Sequence, residues 1–385
     1  VLIALAVLLS WPAPAVAEAN ALAKTPPMGW NSWNQVGCFG LNEQVVRAAA
    51  DALASTWMRD AGYRYVVIDD CWQAPARAAD GSLRADPTRF PSGIAALADY
   101  VHSRGLEFGI YAVPGSATCA MANNAYPAHG IGSLGHERQD AETFASWGVD
   151  YLKYDWCNAD TNDGLDRVAA YTKMHDALAR LPRPIVYSIS EYGVGEPWTW
   201  GHAVANSWRT TADLSPTWAS VTSVIDEQAS VAQSTGTPGG WNDPDMLQVG
   251  NGTLTDSENR AHFSMWAIFN APLFAGTDPA KLGATDRATL TNREVIAIDQ
   301  DFAGTQGQRL AVSASTQVWG KPLSGSRYVV VLLNTGNSAA RVSAAIPGQW
   351  TVRDLWLHTD TGTATDTVSA TVAPHSATML QLSPS

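Results

Sequence analysis

The spacing of apolar residues divides the chain at about residue 300. Up to that point, short runs rich in β-branched and aromatic residues alternate with longer stretches in which apolar residues recur every three or four positions. The short runs are Met28–Trp33, Tyr65–Asp69, Glu107–Tyr111, Asp150–Tyr154, Ile185–Ser190, Ser207–Arg209, Gly240–Asp243 and Ala267–Phe274. The clearest long stretch is Glu43–Ala61, which places Val46, Ala50, Leu53 and Trp57 on one helical face. Strands that alternate with helices pair in parallel, because a crossover must return the chain to the same end of the sheet. Eight such units between residues 25 and 300 fit a (β/α)8 TIM barrel. An open doubly wound sheet is the alternative, but no Gly-x-Gly-x-x-Gly follows an early strand.

After Asp301 the helical spacing disappears. Tyr328–Asn334, Ala340–Ile346, Trp350–His358 and the tail through Leu382 read as strands separated by Gly, Ser, Thr and Asn. This predicts a C-terminal antiparallel β-sandwich over residues 301–385. No low-complexity linker precedes it, so it should pack directly on a barrel over residues 18–300.

Residues 1–17 add a destination. An apolar run from Val1 to Leu9, then Pro12 and Pro14, then Ala15-Val16-Ala17 read as the end of a signal peptide whose start is clipped. The expectation is a secreted or periplasmic protein, with no membrane insertion after signal removal, since no other stretch approaches a span. The four cysteines Cys38, Cys71, Cys119 and Cys157 fit an oxidising compartment and allow two disulfides in three pairings. No Cys-x-x-Cys or His-Glu-x-x-His occurs and the eight histidines are scattered, so no metal is expected. His129 and His136 read as surface residues or as residues one layer behind a site. A net charge of −12 without a basic run argues against nucleic acid. The 16 tryptophans, though mostly core, offer flat apolar faces of the kind that stack on sugars.

The chemistry gathers just after the predicted strands. Asp69-Asp70-Cys71-Trp72 follows the second, Tyr111 ends the third, and Lys153-Tyr154-Asp155 ends the fourth. Glu191-Tyr192 follows the fifth, Arg209 to Asp213 the sixth, and Asn242-Asp243-Pro244-Asp245-Met246 the seventh. In a barrel these ends converge on one face, where active sites sit. A lone Asp at a strand end is ordinarily a helix cap. Carboxylates, a Lys, an Arg and aromatics gathered at successive ends are not explained that way. Such a set suits carbohydrate better than phosphate or nicotinamide, and calls for no cofactor.

Thr25–Trp33 (TPPMGWNSW), Val67–Trp72 (VIDDCW), Phe108–Tyr111 (FGIY), Tyr151–Asp155 (YLKYD), Ser207–Asp213 (SWRTTAD) and Gly240–Leu247 (GWNDPDML) are the informative segments. With them, in this order, the chain resembles the α-galactosidases of glycoside hydrolase family 27. The resemblance implies a retaining enzyme with Asp155 as nucleophile and Asp213 as acid/base. It implies Asp69 and Asp70 as ligands of the galactose 4- and 6-hydroxyls, Lys153 as a further hydroxyl ligand, and Arg209 and Glu191 on the 2-hydroxyl side. Trp33, Tyr111 and Met246 would line the pocket. Tyr192 stands where many members carry Trp, which alters contacts to the leaving group. The cysteines would pair as Cys38–Cys71 and Cys119–Cys157. Substrates would be α-galactoside oligosaccharides, polysaccharides or glycoconjugates; the oligomeric state is not readable.

Simple physics asks the same of these residues. A retaining glycosidase holds its two carboxyls ~5–5.5 Å apart. Lys153, two residues before Asp155 on one strand face, favours the ionised nucleophile. Asp213 must instead carry a proton at rest, which calls for a buried carboxyl near the Asp155 charge. An α-N-acetylgalactosaminidase would need a small residue in place of Glu191. A β-L-arabinopyranosidase is closer, but keeping both Asp69 and Asp70 favours galactose. A non-catalytic carbohydrate-binding protein would have lost Asp155 or Asp213. One departure from the family is Ala112-Val113-Pro114, where a small residue and then Asp are usual after Tyr111.

Overall fold

The computed structural model describes residues 22–128, 130–231 and 239–385. The proposed signal segment and His129 lie outside the described residues. Eight strands form one parallel sheet: β1 (Met28–Asn31), β2 (Tyr65–Val67), β3 (Glu107–Ala112), β4 (Tyr151–Asp155), β5 (Val186–Ser190), β6 (Ser207–Arg209), β7 (Trp241–Asp243) and β8 (Leu273–Ala275). Their order is β7-β6-β5-β4-β3-β2-β1-β8. A parallel bridge between Leu247, just past β7, and Ala275 of β8 joins the two ends into a barrel. β5 is buried along its whole length, as expected where helices cover the outside and side chains fill the inside. Val67, Tyr151, Val186 and Phe274 pack together from four strands. Gly29 in β1 has no room for a side chain: a Cβ there would lie 2.4 Å from the carbonyl oxygen of Tyr65.

The second sheet has six antiparallel strands: β9 (Gln308–Ser313), β10 (Thr316–Pro322), β11 (Tyr328–Asn334), β12 (Ala340–Asp354), β13 (Thr359–Val372) and β14 (Ser376–Pro384). The period-two alternation splits their apolar residues between two cores. Val330, Leu332, Val342, Val368 and Leu382 form a core of their own. Trp319, Val329, Val331, Leu333 and Met379 face the other way and join the main core of the barrel. The architecture is a TIM barrel followed by a β-sandwich domain.

Four expectations change. Ala267–Phe274 is not one strand: Asp256–Phe269 is a helix, and β8 starts only at Leu273. Glu43–Ala61 breaks after Ser55, and Trp57 takes a left-handed backbone (φ 65°) and is 72% exposed. Ala340–Ile346 and Trp350–His358 merge into β12, which bulges between Ala345 and Gln349 and ends at Asp354. β9 and β10 were not foreseen. Among the described residues, no helix is long and apolar enough to cross a membrane.

Candidate active site

The C-terminal ends of the barrel strands open into one cleft. Trp33, Asp69, Asp70, Tyr111, Lys153, Asp155, Tyr192, Arg209, Asp213 and Met246 all line it. So do Cys119 and Cys157, which are bonded to each other, as Cys38 is to Cys71. The strand pleat explains the convergence. Lys153 and Asp155 are separated by one residue on β4, so both point inward, while Tyr154 between them is turned into the helix layer against Tyr171 and Tyr187.

A chain of charges runs across the floor. Asp69 Oδ2 accepts from Lys153 Nζ at 2.8 Å and from Asn31 Nδ2 at 2.8 Å. Its Oδ1 accepts the Asp70 N–H at 2.9 Å, and Asp70 in turn accepts the N–H groups of Cys71 at 2.7 Å and Ala120 at 2.8 Å. Burial, helped by the Asp69 charge and opposed by the Ala120 N–H, pushes Asp70 up to about 6. Burial also pushes Asp155 up to about 6, although Lys153 and the Tyr192 hydroxyl pull it down. For Lys153, burial disfavours the ammonium, but the charges of Asp69 and Asp155 outweigh it and hold the group above its ordinary range. The sulfurs of Cys119 and Cys157 lie beside Asp155, but their disulfide leaves no thiolate for a metal.

The opposite wall is built on Arg209. Its side chain is 5% exposed and meets Asp245 at 3.1 Å and Asp213 at 3.1 Å. Asp245, which the sequence placed in the cluster after the seventh strand without giving it a role, lines the cleft as well. It stands two residues past β7, in the same GWNDPDML segment, and takes a left-handed backbone (φ 91°) fixed by hydrogen bonds to Leu214 and Met246. Its position after a strand end was the available signal.

Two expectations fail here. Asp213 is not buried: its side chain is 71% exposed at the mouth of the cleft, because it lies on the loop after β6 rather than on the strand. Glu191 does not line the cleft. It sits one residue past β5, where the pleat no longer sets direction. Its two oxygens each accept the Gly195 N–H at 2.9 Å, and Oε2 meets Arg167 at 3.3 Å. Burial pushes Glu191 up to about 7 against the pull of Gly195 and Arg167. The polar group absent after Tyr111 leaves Val113 fully buried against Tyr111 and Cys157. His136, as expected, is away from the cleft, within 3.1 Å of Gln139.

The chain matches known proteins over nearly its whole length. A family described as "Alpha galactosidase A" matches residues 25–301, and "Alpha galactosidase C-terminal beta sandwich domain" matches residues 313–382. The α-galactosidase of Oryza sativa subsp. japonica is 46% identical over 372 residues, covering 95% of this chain and 86% of that protein. The structure of α-galactosidase I from Mortierella vinacea has a TM-score of 0.89 at 36% identity, covering 95% of this chain and 99% of that one. An α-galactosidase from Saccharomyces cerevisiae, in a structure with raffinose, has a TM-score of 0.87 at 29% identity, covering 96% and 100%.

Proposed function

Because this chain belongs to the alpha galactosidase A family and is a glycoside hydrolase that releases terminal α-linked galactose, we propose that it works by double displacement, with Asp155 as nucleophile and Asp213 as acid/base. The asymmetry of the two carboxyls carries this reading: Asp155 is 4% exposed on the floor, whereas the Asp213 side chain is 71% exposed at the mouth. A nucleophile must meet C1 of a sugar seated deep in the cleft. A general acid must meet the leaving oxygen, which points outward. Asp155 attacks C1, the C1–O bond breaks, and the leaving oxygen takes the proton of Asp213. Water, deprotonated by Asp213, then attacks C1 and frees Asp155. The bound sugar itself shields Asp213 from water.

Asp69 and Asp70 hold the galactose 4- and 6-hydroxyls, Lys153 is a further hydroxyl ligand, and Arg209 serves the 2-hydroxyl side. Trp33, Tyr111, Tyr192 and Met246 supply the walls. The substrates are α-galactoside oligosaccharides such as raffinose, polysaccharides or glycoconjugates. Residues 18–300 are the catalytic domain and 301–385 the sandwich domain. The two disulfides support a secreted or periplasmic location after removal of residues 1–17.

The test is turnover of nitrophenyl α-galactoside, run beside the β-L-arabinopyranoside. Asp155→Asn should lose several orders of magnitude in kcat, because the amide cannot serve as nucleophile. Proton NMR of wild-type product should show α-galactose first; β-galactose first would overturn the double displacement.

A further inference from the structure

The two oxygens of Asp155 have different surroundings. Oδ1 accepts the Trp156 N–H at 2.9 Å and the Tyr192 phenol O–H at 2.7 Å. Oδ2 lies 3.5 Å from the disulfide sulfur of Cys119, which has no proton to give. We propose that Tyr192 is a positioning residue that anchors Oδ1 of the nucleophile and so assigns the attack on the sugar to Oδ2. The proposal rests on the reading of Asp155 as nucleophile.

The loop that carries Tyr192 is built to hold this phenol in place. Tyr192 has φ 61°, a left-handed conformation that a bulky aromatic residue avoids. Gly193 follows with φ 79°, where a Cβ would lie 2.3 Å from the carbonyl oxygen of Thr210. Buried Glu191 ties the loop down through Gly195 and Arg167. The Arg209 guanidinium lies 5.4 Å from the centre of the Tyr192 ring. Strain that the surroundings over-determine is the usual sign of a side chain held for function.

The anchored oxygen matters most in the second step. In the first, the Oδ2 lone pair forms the bond to C1 while the aglycone leaves with its electron pair and the Asp213 proton. Oδ1 becomes the carbonyl oxygen of the ester. In the second, the electron pair of the C1–Oδ2 bond returns to the carboxylate as water adds to C1. The two donors on Oδ1 meet full charge in the free carboxylate and again as the ester breaks, and a charged acceptor is bound more strongly than an ester carbonyl, so their help falls on the second step. The charged groups that act on Asp155 are Lys153, Asp69 and Asp213; Tyr192 adds a neutral donor to them.

The experiment compares wild type with Tyr192→Phe, which keeps the ring and removes the hydroxyl. A 5-fluoro-galactosyl fluoride should trap the ester on Asp155 in both proteins, and complete labelling shows that the variant is folded. Turnover of the trapped ester should be ~10- to 100-fold slower in Tyr192→Phe, the loss expected for one charge-assisted hydrogen bond. With an aryl galactoside, kcat and KM should fall together. The acidic limb of kcat/KM should move to higher pH, because a group that favours the carboxylate is gone. Label on a residue other than Asp155 would overturn the nucleophile assignment and this proposal with it. Label on Asp155 with an unchanged turnover rate and an unmoved acidic limb would overturn the role of Tyr192 alone. A raised KM with an unmoved limb would also overturn it, since Tyr192 would then contact only the sugar.

Discussion

At the scale of single residues, Glu191 separates what the sequence encodes from what it does not. Lys153 and Asp155 were legible because they lie inside β4, where alternation fixes which side chains face the cleft. Asp69 and Asp70 were legible from their place after β2, and their shared hydrogen bonds keep them together. Glu191 lies past the end of β5, and the left-handed turn at Tyr192 brings the aromatic ring to the cleft instead. No periodicity predicts such a turn. Glu191 therefore does not occupy space beside a sugar 2-position, and Glu191→Ser should not create activity on α-N-acetylgalactosaminide. It should leave the Gly195 N–H and one side of Arg167 without partners, at a cost of ~1–3 kcal/mol in stability, and lower kcat/KM for the galactoside by loosening Tyr192. Kinetics on both substrates with a melting curve decide this. A clear gain on the N-acetyl substrate would show that Glu191 reaches the sugar after all.

At the scale of elements, the barrel was legible strand by strand except where burial hides the period. The helix Asp256–Phe269 is covered on nearly every side by the barrel and the sandwich; Phe263, Met265, Trp266 and Phe269 are all buried. Its second half, Phe263–Phe269, is apolar apart from Ser264 and so has no stripe, and it ran into the short β8 and looked like one long strand. β9 has the opposite fault, being exposed almost throughout, and shows no alternation. The disulfides give a contrast between elements of similar loop length. Cys38 and Cys71 are 33 residues apart, Cys119 and Cys157 38 apart. The chain-entropy model gives ~4 kcal/mol for each, less any strain the bridge imposes on the folded form. Replacing either pair by Ala should therefore lower the melting temperature by a similar amount. The second pair should damage kcat more, because Cys119 lies beside Asp155 and Cys157 follows it by two residues, whereas the first pair reaches the site only through the Cys71 N–H on Asp70. Equal catalytic loss from both pairs would refute the distinction.

At the scale of the whole molecule, the two domains share a polar seam as well as a core. Trp356 donates to Ser264 at 2.8 Å, Asn292 to the Leu355 carbonyl at 3.0 Å, and buried Lys321 to Asn270 at 2.8 Å. The sum of buried charges sets how stability responds to pH. Burial, as the largest cause, pushes Asp70, Asp155 and Asp243 up to about 6 and Glu191 up to about 7, and raises Asp245 and Asp299 as well. In the unfolded chain these groups release their protons near pH ~4. Between about pH 4 and about pH 6–7 the folded chain therefore binds more protons, and its stability falls as pH rises through that window. His262 opposes this. Burial pushes it down to about 3, so the unfolded chain binds its proton below ~6.5 and the folded chain does not. One histidine is outweighed by several carboxyls. Lys321, pushed down to about 7 by burial despite Asp299, is protonated in both states over most of this range and opposes the trend only near and above pH ~7, where several carboxyls outweigh it. Glu294, held low chiefly by its hydrogen bonds from Arg353, acts near its ordinary value of 4.5 and below, under the window. The melting temperature should thus be higher at pH ~5.5 than at pH ~7.5. Activity should run the other way below pH ~6, as Asp155 gains its proton. Calorimetry and kcat/KM across this range test the pair of trends together, and Asp243→Asn should flatten the stability slope by removing one of its carboxyls. A melting temperature that climbs steadily from pH ~5.5 to ~7.5 would mean that these carboxyls are not carrying protons in the folded protein.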